Sequence, residues 1–142
     1  MKDIKSQKID FGQIRSFIKG AVDKINKAEK VLNIDEQIAF QMAYESMLRG
    51  SLGFMLSYGK RPRSTVGHHK IIIDFTSEKL GKDYKNIISI FNLARRKRNE
   101  LIYEPNGLIT KKEAFEILVS ARKYLRIISE DIENRHPQLK LF

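Results

Sequence analysis

Cysteine is absent from all 142 residues, which excludes thiol catalysis and Cys-ligated zinc outright. The absence fits a reducing compartment, and a chain of this length needs no disulfide. As one domain spanning 1–142 it can bury roughly 70% of its unfolded surface. No apolar run approaches the ~20 residues needed to cross a bilayer. The opening MKDIKSQKIDFGQIRS has no apolar stretch of signal-peptide length. These features read as a soluble, cytoplasmic protein with no membrane association. No Gly-x-x-x-x-Gly-Lys-Ser/Thr or Gly-x-Gly-x-x-Gly segment occurs, which removes both common glycine-rich nucleotide loops. The acids are dispersed and form no carboxylate dyad. His68-His69 lack the spacing of a helical metal pair, and no third ligand is evident, so neither metal nor cofactor is expected. His136, beside Pro137, reads as incidental at a frayed end.

What the chain does have is positive charge. Its 27 Lys and Arg against 17 Asp and Glu give a formal net charge of +10, which favours an anionic partner such as RNA or a nucleotide. Net charge alone does not choose among anions, so its weight lies where the charge clusters.

Prolines are scarce, at 62, 105 and 137 only, and each falls where a helical pattern stops. Between them the apolar period is helical rather than alternating. Phe11, Ile14, Ile18, Val22, Ile25 and Ala28 recur three or four apart, predicting a helix over about 10–32. Asn33 with Glu36 three residues on has the spacing of a capping box. The second helix that it opens runs over roughly 35–58 and carries Ile38, Met42, Leu48, Leu52, Met55 and Leu56. Small residues on it (Ala39, Ala43, Ser46, Gly50, Ser51, Gly53) permit close approach of another helix. GKRPRSTVG, 59–67, reads as a loop. A third helix follows from His68 to Leu80, with Ile72, Ile73 and Phe75 as core candidates and Gly81 as its C-cap. Asp83 is the expected cap of a fourth helix reaching about 104, and Pro105-Asn106-Gly107 the turn after it. Thr110-Lys111-Lys112-Glu113 is a capping box for a last helix over 110–134, presenting Phe115, Leu118, Ala121, Leu125 and Ile128. Five helices with short connections predict an all-α antiparallel bundle with essentially no strand.

The fourth helix holds the question of function. Its segment ARRKRNELIYEP sets Arg95, Arg96, Lys97 and Arg98 in a row, although like charges on neighbouring turns repel. Ile87, Phe91, Ala94, Arg98 and Leu101 share one face, so Arg98 interrupts a core-facing stripe. Arg95, Asn99 and Tyr103 line the adjoining edge. A guanidinium bordering a core needs a partner, and two readings stay open. Arg98 either pairs with a carboxylate such as Glu45 or Glu78, tying helices together, or it meets an anionic ligand. His68 and His69 open the third helix just after Arg61 and Arg63. The positive end of the helix dipole would hold them neutral and attract phosphate to the loop. The plain structural alternative is that one histidine caps the helix and the other is exposed.

Arg98-Asn99 near the end of a long helix, with a polar ring at 103, resembles the HEPN family. The stretch Gly59-Lys60-Arg61-Pro62-Arg63 followed by Gly67-His68-His69 is similar to a segment that some HEPN branches carry before that helix. Those domains are helical bundles whose signature is an Arg, often followed by Asn, then four to six residues and a His. The likeness extends over the whole chain in architecture. It implies that Arg98 contacts phosphate, that Asn99 orients it and that Tyr103 stands where active members have His. Beside the resemblance, Arg95, Arg96, Arg61, Arg63, His68 and His69 read from their charge as a surface for nucleic acid, with a plain solvated face as the alternative for two of Arg95, Arg96 and Lys97. HEPN ribonucleases cut RNA without metal, through attack of the ribose 2′-hydroxyl on the neighbouring phosphate. Histidine suits that proton transfer because its pKa is about 6.5. A tyrosine near 10 remains protonated and donates a hydrogen bond instead. The resemblance therefore implies RNA or nucleotide binding with weak or absent cleavage, in a homodimer of the toxin–antitoxin or defence type. The rival reading is a non-catalytic helical module that binds a partner protein such as a nucleotidyltransferase-like antitoxin. A third is plain cationic adhesion to nucleic acid.

Overall fold

The computed structural model describes residues 3–63, 67–103 and 108–141. Among them are five α-helices: α1 (Phe11–Val31), α2 (Glu36–Ser57), α3 (His68–Leu80), α4 (Lys85–Tyr103) and α5 (Lys111–Arg135). The expected all-α bundle is the observed fold. Within these residues no helix is long and apolar enough to cross a membrane.

Local chemistry sets most helix ends. Asp10 caps α1 by accepting from the Gln13 amide at 3.2 Å, satisfying one of the free first-turn donors. Thr110 and Glu113 form the expected reciprocal box, with both backbone amides bonded at 3.1 Å. Gly81, at φ 85°, ends α3 in a conformation that side-chain-bearing residues avoid. Two caps differ from expectation. Asp35, not Asn33, caps α2 by accepting from Ile38 N at 3.0 Å. The Ile34 and Asp35 amides are drawn back to the Val31 carbonyl, which carries Asn33 through the turn. Asp83 lies inside a short 3₁₀ turn, Lys82–Tyr84, and α4 begins after it at Lys85. Glu104 and the expected turn at 105–107 lie outside the described residues.

The bundle also contains strands that its sequence does not announce. β1 (Ile4–Ser6) pairs antiparallel with β2 (Lys60–Pro62), Ile4 opposite Pro62 and Ser6 opposite Lys60. The start of the expected 59–67 loop is thus a strand. Three residues are too few to show the alternation by which strands are recognised.

α2 packs against each of the other four helices and is buried nearly all round. Its small residues do what their size suggests. A Cβ added at Gly50 would stand 2.5 Å from Leu125 Cδ2 and 2.9 Å from Ile128 Cδ1, so α5 approaches α2 across a bare backbone. Ile72, Ile73 and Phe75 are buried on α3, and Ile87, Phe91 and Ala94 on α4, as their spacing predicts. Phe115 and Ile38 are not in the core; they stand 54% and 48% exposed. The buried stripe of α5 runs through Ala114, Ile117, Leu118, Ala121, Tyr124 and Leu125, and Phe115 sits one helical step off it. His136 is held rather than frayed: its Nε2 meets the Ser57 carbonyl at 2.8 Å and its ring lies edge-on to Phe11.

Candidate functional site

The basic run of α4 divides between two depressions. Arg96 and Lys97 line a groove of about 600 Å³ beside α5, where Glu100, Glu113 and Glu116 also lie. Lys97 meets the Glu113 carboxylate at 3.8 Å. Three acids against two bases make this larger groove a poor anion site. Arg98 faces the other way. It lines a cleft of about 250 Å³ bounded by α2, α3 and α4, together with Glu45, Arg49, His68 and His69 above an apolar floor that includes Leu48 and Ile72.

Both carboxylates considered as structural partners for Arg98 fall away. Glu45 is committed to Lys24 of α1, at 2.7 Å. Among the described residues neither Glu78 nor any other acid forms an ion pair with Arg98. Arg98 is nonetheless only partly exposed. Arg95 is half-buried and donates to Asn92 Oδ1 at 3.1 Å.

The two histidines lie beside this guanidinium. Gly67, not a histidine, occupies the cap of α3 and offers no side-chain bond, and both His68 and His69 are half-buried. Their rings stand 5.1 Å apart. His69 Nδ1 lies 3.1 Å from the hydroxyl of Tyr44, a fully buried residue of α2. Tyr44 stacks edge-on against Phe91, and Phe91 against Tyr124, whose hydroxyl bonds Ser51 in the core. A row of rings thus runs from the bundle centre to the cleft and fixes one imidazole there.

Electrostatics follow from this geometry. Burial, then the neighbouring His68, Arg98 and Arg95, hold His69 below the usual histidine range, with Glu45 opposing. The ring is therefore neutral near pH 7. Burial raises the Tyr44 phenol well above its ordinary value, against the pull of Arg98 and Arg95, so it stays protonated.

The remaining expected site residues lie elsewhere. Asn99 is half-buried and Tyr103 is 80% exposed at the last described turn of α4; neither lines the cleft. Arg61 on β2 and Arg63 just after it are exposed and also outside it. Tyr44, Glu45 and Arg49 are site residues that the sequence reading did not assign. One signal was available for two of them: between 37 and 57 the only charged residues are Glu45 and Arg49, one helical turn apart. Compared with protein-family models and with curated proteins, the sequence matches none.

Proposed function

We propose that this chain is a HEPN-like RNA- or nucleotide-binding protein whose phosphate site is the cleft between α2, α3 and α4. The observation that carries the reading is Arg98: half-buried, lining a cleft with two imidazoles, and without a carboxylate partner among the described residues. A half-buried guanidinium without a carboxylate partner is free to meet an anion in the cleft. Its planar fork matches two phosphate oxygens at once. The sequence motif Arg98-Asn99 agrees with the same role. RNA cleavage is weak or absent, because Tyr103 stands in the motif's histidine position and is 80% exposed; that cleavage needs no metal is what the resemblance implies. The test is fluorescence anisotropy of a labelled short RNA over a range of salt. Loss of binding in Arg98→Ala supports the reading. Unchanged binding with a steep salt slope would reduce it to general cationic adhesion.

A second reading, docking of a partner protein such as a nucleotidyltransferase-like antitoxin or of a second copy as a homodimer, is favoured by a different observation. α4 and α5 expose Leu93, Phe115 and Val119 at 59%, 54% and 49%, apolar area of the kind that interfaces cover. Light scattering of the protein alone, and then with a co-expressed partner, tests it.

A further inference from the structure

We infer that the Arg98 cleft takes a terminal phosphate monoester rather than an internal phosphodiester, and that a proton enters with the ligand and rests on His69. The inference depends on the phosphate reading of the cleft and names the kind of phosphate.

Size is the first argument. A space of about 250 Å³ lies below the range of typical small-molecule pockets. It suits the end of a chain or a mononucleotide phosphate better than a strand passing through with a nucleotide on each side.

Charge is the second. The groups facing His69 are Tyr44, Glu45 and Arg49 from α2, His68 from α3, and Arg95 and Arg98 from α4. Glu45 is paired with Lys24, and Arg95 donates to the neutral amide of Asn92 and does not line the cleft. The guanidinium of Arg49 reaches α1, 3.3 Å from where a Cβ on Gly20 would stand. Among the described residues Arg98 is the guanidinium that both lines the cleft and acts on His69, so a phosphate seated between the two meets one full positive charge there. A diester carries one; a monoester carries up to two near neutrality, its second pKa lying near 6. On the side of the phosphate that faces His69 the second charge is matched by the imidazole, which becomes a cation by taking a proton.

Geometry then selects His69. Tyr44 occupies its Nδ1 at 3.1 Å, which fixes the ring and leaves Nε2 as the nitrogen for a ligand. Without an anion, burial first and then the neighbouring His68, Arg98 and Arg95 keep the proton off. A bound dianion reverses that balance, so binding and proton uptake are one linked event.

The experiment is isothermal titration calorimetry near pH 7 in two buffers of different ionisation enthalpy. The probes are a hexanucleotide RNA with hydroxyl ends, the same RNA with a 5′- or a 3′-phosphate, and inorganic phosphate. One end-phosphorylated RNA should bind about tenfold tighter than the hydroxyl form, with up to about one proton taken up, and its affinity should fall as pH rises from 6.5 to 8. His69→Asn should abolish both the end preference and the proton uptake. Equal Arg98-dependent affinity for all three RNAs, or binding with no proton uptake, would overturn the inference and leave the phosphate reading standing. No binding of any RNA or of phosphate would remove both. The wild-type measurements decide the matter even if the variant folds poorly.

Discussion

The hydroxyl of Tyr44 lies 3.1 Å from Nδ1 of His69, joining the buried centre of α2 to the first turn of α3. This contact makes the His69 imidazole part of the fold as well as part of a cleft. Its protonation must therefore appear in stability.

The sign of that effect follows from the depressed pKa. An unfolded histidine titrates near 6.5, whereas His69 is held lower in the folded chain by burial and by its cationic neighbours. Between those two values the unfolded state binds the extra proton, so stability is complete above about pH 6.5 and declines as pH falls toward the folded value. Urea denaturation of the free protein should show a midpoint that falls between pH 7 and pH 5.5, and His69→Gln should flatten that slope. A wild-type midpoint that rises as pH falls over this window would contradict the environment described for His69.

Arg98 should behave in the opposite way to a structural ion-pair residue. It has no carboxylate partner among the described residues, so removing it leaves no buried acid stranded. Arg98→Ala should leave the melting temperature unchanged or raise it. It should weaken RNA binding by about 1.5–3 kcal/mol, the range for hydrogen bonds to charged groups. Arg98→Lys should restore only part of that, since a point charge lacks the two-pronged geometry. A large fall in thermal stability in Arg98→Ala, measured by circular dichroism, would return Arg98 to a structural role.

The parts of this fold that were legible before the structure share one property: they are local and periodic. Ile14, Ile18, Ile25 and Ala28 mark the buried face of α1 because a helix repeats every 3.6 residues. Arg98 was legible for the same reason, as one charge on an otherwise apolar stripe. Asn33 and Asp35 are both good capping residues, and only the path of the turn decides between them. β1 and β2 are held by a pairing across more than fifty residues that leaves no local trace. Tyr44 was hidden because α2 is buried nearly all round and so offers no clean face for a polar residue to interrupt. Its link to His69 joins two helices and cannot be read from either one.

Gly50 offers a test of the packing that is separate from the site. An alanine there would place its methyl carbon 2.5 Å from Leu125 Cδ2 and 2.9 Å from Ile128 Cδ1. The ends of two side chains must move, and overpacking of this kind costs about 1–3 kcal/mol. Gly50→Ala should lower the urea midpoint accordingly. Leu125→Ala in the same chain should recover part of the loss relative to Leu125→Ala alone, because the two changes share one space. Since Gly50 does not line the Arg98 cleft, RNA affinity of the folded Gly50→Ala protein should be unchanged.

Tyr103 separates the sequence motif from the cleft. Read along α4, it occupies the place of a catalytic histidine; in space it is 80% exposed and outside the cleft that holds Arg98. A phenol is suited to donating a hydrogen bond to phosphate and, unlike an imidazole, poorly suited to abstracting a proton at pH 7. Tyr103→Phe should therefore cost RNA binding no more than about one hydrogen bond, roughly 0.5–1.5 kcal/mol, and less than Arg98→Ala. Tyr103→His restores the usual spacing and supplies a group that titrates near neutrality. If the motif governs catalysis, this substitution should raise release of 2′,3′-cyclic phosphate ends from a short RNA with chelator present. If the cleft governs the chemistry, Tyr103→His should leave cleavage at the wild-type level while His69→Asn changes it. Robust wild-type cleavage that disappears in Tyr103→Phe would show that the tyrosine acts in the reaction despite its exposure.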